Sequence, residues 1–175
     1  VIFHLENTLF QTGVRTDQVN SAPGAEAVVR YCQDRGLRLA LVSHDSRASV
    51  QKALARLPFM SQSNSCVVMG CEDLSVSGSV SDPVQLAAEK MKLPLDRVLA
   101  VAGDSAFLQS ARKQGATTVV IDPSAPPEND TVEGPRRISH LEKLIPIARL
   151  GIPLPAGKLP NDLLREFLNQ FVFDD

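Results

Sequence analysis

Short apolar runs alternate with stretches of helical periodicity along most of the chain. Val1-Ile2-Phe3, Leu37–Val42, Cys66–Met69, Arg97–Ala102 and Thr117–Ile121 read as strands, being brief, rich in β-branched or aliphatic residues and bounded by turn formers. Between them, apolar positions recur at helical spacing over Pro23–Arg35, Ser46–Leu57, Pro83–Lys92, Ser105–Gln114 and Ser139–Leu150. Gly36 and Gly115 are stop signals for two of these helices, and Pro83 suits the first turn of another. Residues 72–82 and Asp122–Pro135 read as loops, rich in Ser, Gly, Pro and acidic residues. Regular strand–helix alternation with runs apolar on both faces predicts a doubly wound parallel α/β sheet. That domain is expected to occupy residues 1–150.

The remaining residues, 151–175, break the pattern. Pro153, Pro155 and Pro160 make a linker, followed by an amphipathic stretch with Leu163, Leu164, Phe167, Leu168 and Phe171 on one helical face. Such a stripe either packs back on its own domain or docks on a partner subunit. These five side chains are the candidate interface.

Composition narrows the class. The 175 residues are 43% hydrophobic and 22% charged, ordinary for a globular domain and far from a disordered one. A net charge of −2 gives no electrostatic footprint for nucleic acid, and no apolar run approaches the roughly 20 residues of a transmembrane helix. Cys32, Cys66 and Cys71 are odd in number and lack a CxxC pair. They fit thiols in a reducing, intracellular compartment, the cytosol or an organelle matrix, better than a disulfide framework or a zinc site. The chain begins on Val1 inside a strand-like run, the expected look of a processed or excerpted piece.

Three segments leave a strand and enter a loop with polar residues: His4-Leu5-Glu6-Asn7-Thr8, Ser43-His44-Asp45 and Gly103-Asp104-Ser105. In a doubly wound sheet, such strand ends share one rim, where ligands bind. On these motifs the sequence resembles the haloacid dehalogenase-like (HAD) phosphohydrolases, in their phosphoglycolate-phosphatase-like branch, over roughly Val1 to Leu144. VIFHLENTLF stands against the family's hhhDxDGTL opening, PGAEAVVRYCQDRGLRLALVS against its second motif, GDSAFLQSARKQGATTVVI against its acidic motif, and ISHLEKL against its closing helix. The resemblance implies a HAD-like Rossmannoid fold. Only Gln11–Ala22 separates the opening motif from the next helix, so the cap is expected to be minimal.

What the resemblance implies for chemistry is loss. The nucleophilic, metal-binding Asp is replaced by His4, the acid/base Asp by Glu6, and the Gly by Asn7. Phosphate-binding Thr8 and the second-motif hydroxyl, Ser43, remain as a vestigial phosphate site. The family's Lys falls at the Val80-Ser81 pair. Asp104 keeps the first metal carboxylate, and Leu108 replaces the second. A phosphoaspartate enzyme needs a carboxylate nucleophile beside a hard cation. Imidazole is a poor Mg²⁺ ligand, and a misplacement of about 1 Å costs on the order of 10²-fold in rate. Because the parts act as one unit, restoring one does not restore the site.

The expected role is therefore a catalytically inactive scaffold or interaction subunit of a larger assembly, without cofactor. Its partners are other protein subunits, and a mitochondrial complex is the guess that the missing start and the tail suggest. The alternatives are a residual Mg²⁺-dependent phosphohydrolase using Glu6 and Asp104, and a phosphate- or nucleotide-binding module built on Thr8 and Ser43. A transition-metal site of His4, His44 and Asp104 is a further reading, unsupported by any helical HxxxH spacing. Asp45, Asp104 and Ser105 also read as helix caps, and Arg47 and Lys52 as solvated surface.

Overall fold

The computed structural model describes residues 1–11, 20–60, 66–74, 82–124 and 136–149. Six strands form one sheet: β1 (Ile2–His4), β2 (Leu39–Val42), β3 (Cys66–Met69), β4 (Leu99–Ala102), β5 (Thr117–Ile121) and β6 (Arg136–Ile138). Their order is β3-β2-β1-β4-β5-β6, and every pairing is parallel. The helices are α1 (Ala25–Asp34), α2 (Arg47–Leu54), α3 (Cys71–Leu74), α4 (Pro83–Met91), α5 (Ser105–Lys113) and α6 (Leu144–Arg149). The doubly wound expectation is met.

Both faces of the sheet are covered, and the strands serve them by two-residue alternation. Phe3, Leu5, Leu39, Leu41, Val101 and Val119 face a core completed by α1, α2 and α6. Ile2, Ala40, Val42, Ala100 and Ala102 face a second core completed by α4 and α5. Small residues on this second face let Phe107, Leu108 and Met91 approach the sheet closely.

Local chemistry sets the helix starts. Ser46 accepts from the Ser49 N–H at 3.2 Å, Asp82 from the Val84 and Gln85 N–H groups at 2.9 and 3.1 Å, and Asp104 from the Ala106 N–H at 2.8 Å. The cap of α2 is thus Ser46, not Asp45, which is buried just before it.

Four sequence expectations need correction. Strand β6 was not anticipated, because two arginines in a three-residue edge strand carry no alternating pattern. Cys71–Leu74 is a helical turn inside a stretch read as loop. The last helix is a 3₁₀ turn, Leu141–Lys143, running into α6. Arg47 is not simply solvated: it pairs with the buried carboxylate of Asp73. That carboxylate also takes Lys90 Nζ at 3.1 Å and the Gly70 N–H at 3.0 Å. Burial works to raise the Asp73 pKa, but these donors outweigh it and hold the carboxyl below its usual range. The tail residues Leu163, Leu164, Phe167, Leu168 and Phe171, and Val80 in the Lys position, lie outside the described residues, as does most of the expected cap.

Candidate active site at the strand ends

The chain order reverses direction across β1, with β2 on one side and β4 on the other, so the crevice beyond their C-terminal ends is the natural ligand position. His4 ends β1, Ser43 follows β2, and Gly103-Asp104 follow β4. The expected convergence of the three segments is therefore present.

The loop after β1 turns back sharply. Thr8 and Phe10 both donate backbone N–H groups to the Leu5 carbonyl, at 3.3 and 3.1 Å. The turn needs Asn7 in the left-handed region (φ +55°), which Asn tolerates better than most non-glycine residues. This is a physical reason for Asn where the resemblance places Gly. Against it lies Gly103, where an added Cβ would meet the Asn7 carbonyl oxygen at 2.6 Å. The two loops touch, and only glycine fits between them.

Their contact is fixed by Thr8, 1% exposed, whose hydroxyl accepts from the Gly103 N–H at 3.0 Å and donates to the Glu6 carbonyl at 3.3 Å. Ser43 is fully buried. Its hydroxyl donates to Glu6 Oε1 and accepts from the Asp45 N–H at 3.0 Å. A hydroxyl has one proton to give. Both protons are committed inside the protein, and each oxygen keeps only accepting capacity, which an anion cannot use.

His4 is 3% exposed, and neither ring nitrogen has a hydrogen-bond partner among the described residues. Glu6 Oε2, itself unpartnered, lies 3.4 Å from His4 Nε2 without hydrogen-bond geometry. The ring packs edge-on to His44 (centroids 4.9 Å apart, 66°) and against Phe107 at 5.1 Å. Burial lowers the His4 pKa, outweighing the opposing pull of the Glu6 carboxylate and backbone and of Asp104, while His44 adds to the lowering.

Magnesium, which the resemblance implies, does not fit this donor set. It needs several oxygen ligands in octahedral array. Here His4 offers nitrogen, Leu108 is buried hydrocarbon, and the carboxylate oxygens left at the motif positions are those of Asp104 and Glu6 Oε2, Ser43 holding Oε1, too few for an octahedral oxygen shell. One donor atom each from His4, His44 and Asp104 does lie within 4.8 Å of the others.

Beside the rim, a cavity of ≈ 970 Å³ runs from Asn7, Thr8 and Gly103 across α5 to β5 and β6. Leu108, Arg112, Arg137, Ser139 and His140 line it, with Asp122, whose Oδ2 takes Arg137 Nη1 at 3.0 Å. Sequence reasoning missed the cavity. Arg137 lies in the unanticipated β6, and no motif announces Arg112. Among the described residues, no helix is long and apolar enough to cross a membrane.

A family model for haloacid dehalogenase-like hydrolases matches residues 4–120, two thirds of the chain. No curated protein sequence matches significantly. Among solved structures, the chain is similar to D,D-heptose 1,7-bisphosphate phosphatase from B. bronchiseptica, solved with magnesium and phosphate. The TM-score is 0.66 at 15% identity, over 87% of this chain and 98% of that one. It is also similar to a dehalogenase solved with an intermediate complex, at TM-score 0.59 and 19% identity, over 74% of this chain and 57% of that one. The L-2-haloacid dehalogenase of Xanthobacter autotrophicus, with chloropropionic acid covalently bound, gives 0.56 at 13% identity, over 75% and 62%. The chain thus spans less than two thirds of either dehalogenase.

Proposed function

From a chain that belongs to the haloacid dehalogenase-like hydrolases, with the rim chemistry described above, we propose a domain that has given up phosphoaspartate catalysis and acts as a folded interaction module within a protein assembly. The observation that carries this reading is the internal commitment of the Thr8 and Ser43 hydroxyl protons beside a buried imidazole at the nucleophile position. Among the described residues at the motif positions, an incoming phosphoryl group would meet an imidazole in place of the carboxylate nucleophile, no uncommitted proton on Thr8 or Ser43, and no oxygen-rich cation site. The partner is another protein subunit, with the 161–173 segment as the contact through Leu163, Leu164, Phe167, Leu168 and Phe171.

The decisive experiment is hydrolysis of an aryl phosphate with Mg²⁺ by the unmodified chain, His4→Asp and Asp104→Ala. All three are expected at background, because His4→Asp restores one part of a unit that lacks several. Turnover by the unmodified chain that disappears in Asp104→Ala would overturn the reading. For the assembly role, affinity purification from the source cells should recover partners with the unmodified chain and lose them with the Leu163→Glu/Phe167→Glu pair. Unchanged recovery would refute docking through the tail.

The cavity favours a second reading, a ligand-binding module without turnover, since Arg112 has no side-chain partner among the described residues. Stabilisation by inorganic phosphate or a nucleotide, lost in Arg112→Ala, would support it.

A further inference from the structure

We propose that His4, His44 and Asp104 bind a divalent transition metal of the zinc class. The site goes beyond the interaction role, and it departs from the expectation that the domain carries no cofactor.

Three strand ends supply the donors, so the sheet itself fixes the group: His4 closes β1, His44 follows β2, and Asp104 follows β4. One donor atom of each lies within 4.8 Å of the others. Zinc bonds of about 2.0–2.1 Å in tetrahedral geometry would bring them to about 3.3 Å apart. The remaining closure falls to His44, which is exposed and whose ring packs edge-on to His4. It can turn without breaking a hydrogen bond.

A second, independent observation points to a ligand. His4 is buried, yet both its ring nitrogens are unpartnered, an arrangement native interiors rarely keep. A metal on one nitrogen would satisfy it. Glu6 Oε2, unpartnered and 3.4 Å from Nε2, stands where metal-bound histidines usually find an orienting carboxylate. Asp104 is already oriented, because Oδ1 takes the Ala106 N–H at 2.8 Å and Oδ2 stays free of partners among the described residues.

The donor set selects the metal. Two imidazoles and one carboxylate suit Zn²⁺ and its neighbours such as Co²⁺, whereas Mg²⁺ requires oxygen. Three protein ligands leave one position for water. The Cys32 and Cys66 thiols are weak competitors, since desolvation pushes Cys32 up to about 11 and Cys66 up to about 12.

The test is calorimetric titration of the EDTA-stripped full chain with zinc chloride, alongside Co²⁺ absorption spectra. One zinc per chain is expected, unaffected by millimolar Mg²⁺. Affinity should fall at least about tenfold in His44→Ala and in Asp104→Asn, and stay unchanged in His140→Ala. Asn retains the helix cap and His44 is exposed, so neither variant threatens the fold. The Co²⁺ spectrum should lack a thiolate charge-transfer band. No zinc uptake by the folded chain, affinity unchanged in His44→Ala, or a thiolate band would each overturn the proposal. None of these readouts depends on phosphate hydrolysis, so the two readings fail separately.

Discussion

Replacing His4 by Leu should make the metal-free protein more stable. The imidazole is 3% exposed with both nitrogens unpartnered, and a buried donor or acceptor left unmade costs about 1–3 kcal/mol. Leu is close to His in volume and would meet Phe107 and the apolar face behind it, so little overpacking offsets the gain. Glu6 keeps its bond to Ser43 and loses the imidazole 3.4 Å from Oε2, a contact that matters only when His4 carries a proton, which burial opposes. The net expectation is a gain of about 1–2 kcal/mol at pH 7, a rise in Tm of about 2–8 °C for a chain of this length.

The sign with pH follows from the lowered His4 pKa. Below the unfolded value near 6.5 the unfolded chain binds a proton that the native state resists, so the unmodified protein loses stability as pH falls through that window. His4→Leu does not, and the gap should widen from pH 7 to pH 5. Urea denaturation in EDTA measures both effects. Zinc at 100-fold over its dissociation constant would add about 2.7 kcal/mol to the unmodified chain alone, reversing the ranking. A variant less stable by 1 kcal/mol or more in EDTA would refute the reasoning, since His4 would then be making interactions that the geometry denies it.

Other perturbations follow from the same contacts. Gly103→Ala drives a Cβ to 2.6 Å from the Asn7 carbonyl oxygen, and thermal melts should record a loss of about 1–3 kcal/mol. Asp73→Asn removes a carboxylate shared by Arg47 and Lys90. Because those partners are 47% and 38% exposed, the loss at pH 7 should be about 1–2 kcal/mol, below that of a fully buried pair. The folded Asp73 pKa is lowered, so its contribution is complete above about pH 4 and disappears as pH falls through the folded value. Chemical denaturation at pH 7 and pH 3 should therefore show the Asn variant's deficit shrinking. Asp82→Ala removes the α4 cap and the acceptor for Ser110 on α5, and should cost about 1–2 kcal/mol by urea denaturation.

The framework was readable because β1 to β5 are apolar runs between turn signals, and helices cover both faces of the sheet they form. β6 was not, since its pairing with β5 rests on backbone hydrogen bonds, while Arg136 and Arg137 carry no burial pattern. The rim positions His4, Glu6, Thr8, Ser43, Asp104 and Leu108 were located by motif alone. Their side-chain states were not readable. Whether Thr8 and Ser43 face a ligand or one another's loops depends on hydrogen bonds between residues distant in sequence, such as Thr8 with Gly103. The same distance hid the Arg47–Asp73 pair and the cavity, which exist only once α5, β5 and β6 are laid side by side.

The contact between the loops after β1 and β4 bears on how anything reaches the rim. With Gly103 pressed on Asn7 and its N–H held by Thr8, these two loops form a fixed floor. Parting them would expose a buried hydroxyl and break the turn that Asn7 makes. The cavity opens beside this floor and runs across α5 to β5 and β6, with Arg112 and Arg137 in its lining. A ligand held there would rest against backbone that cannot recede, because the two loops are locked to each other rather than to anything that binds.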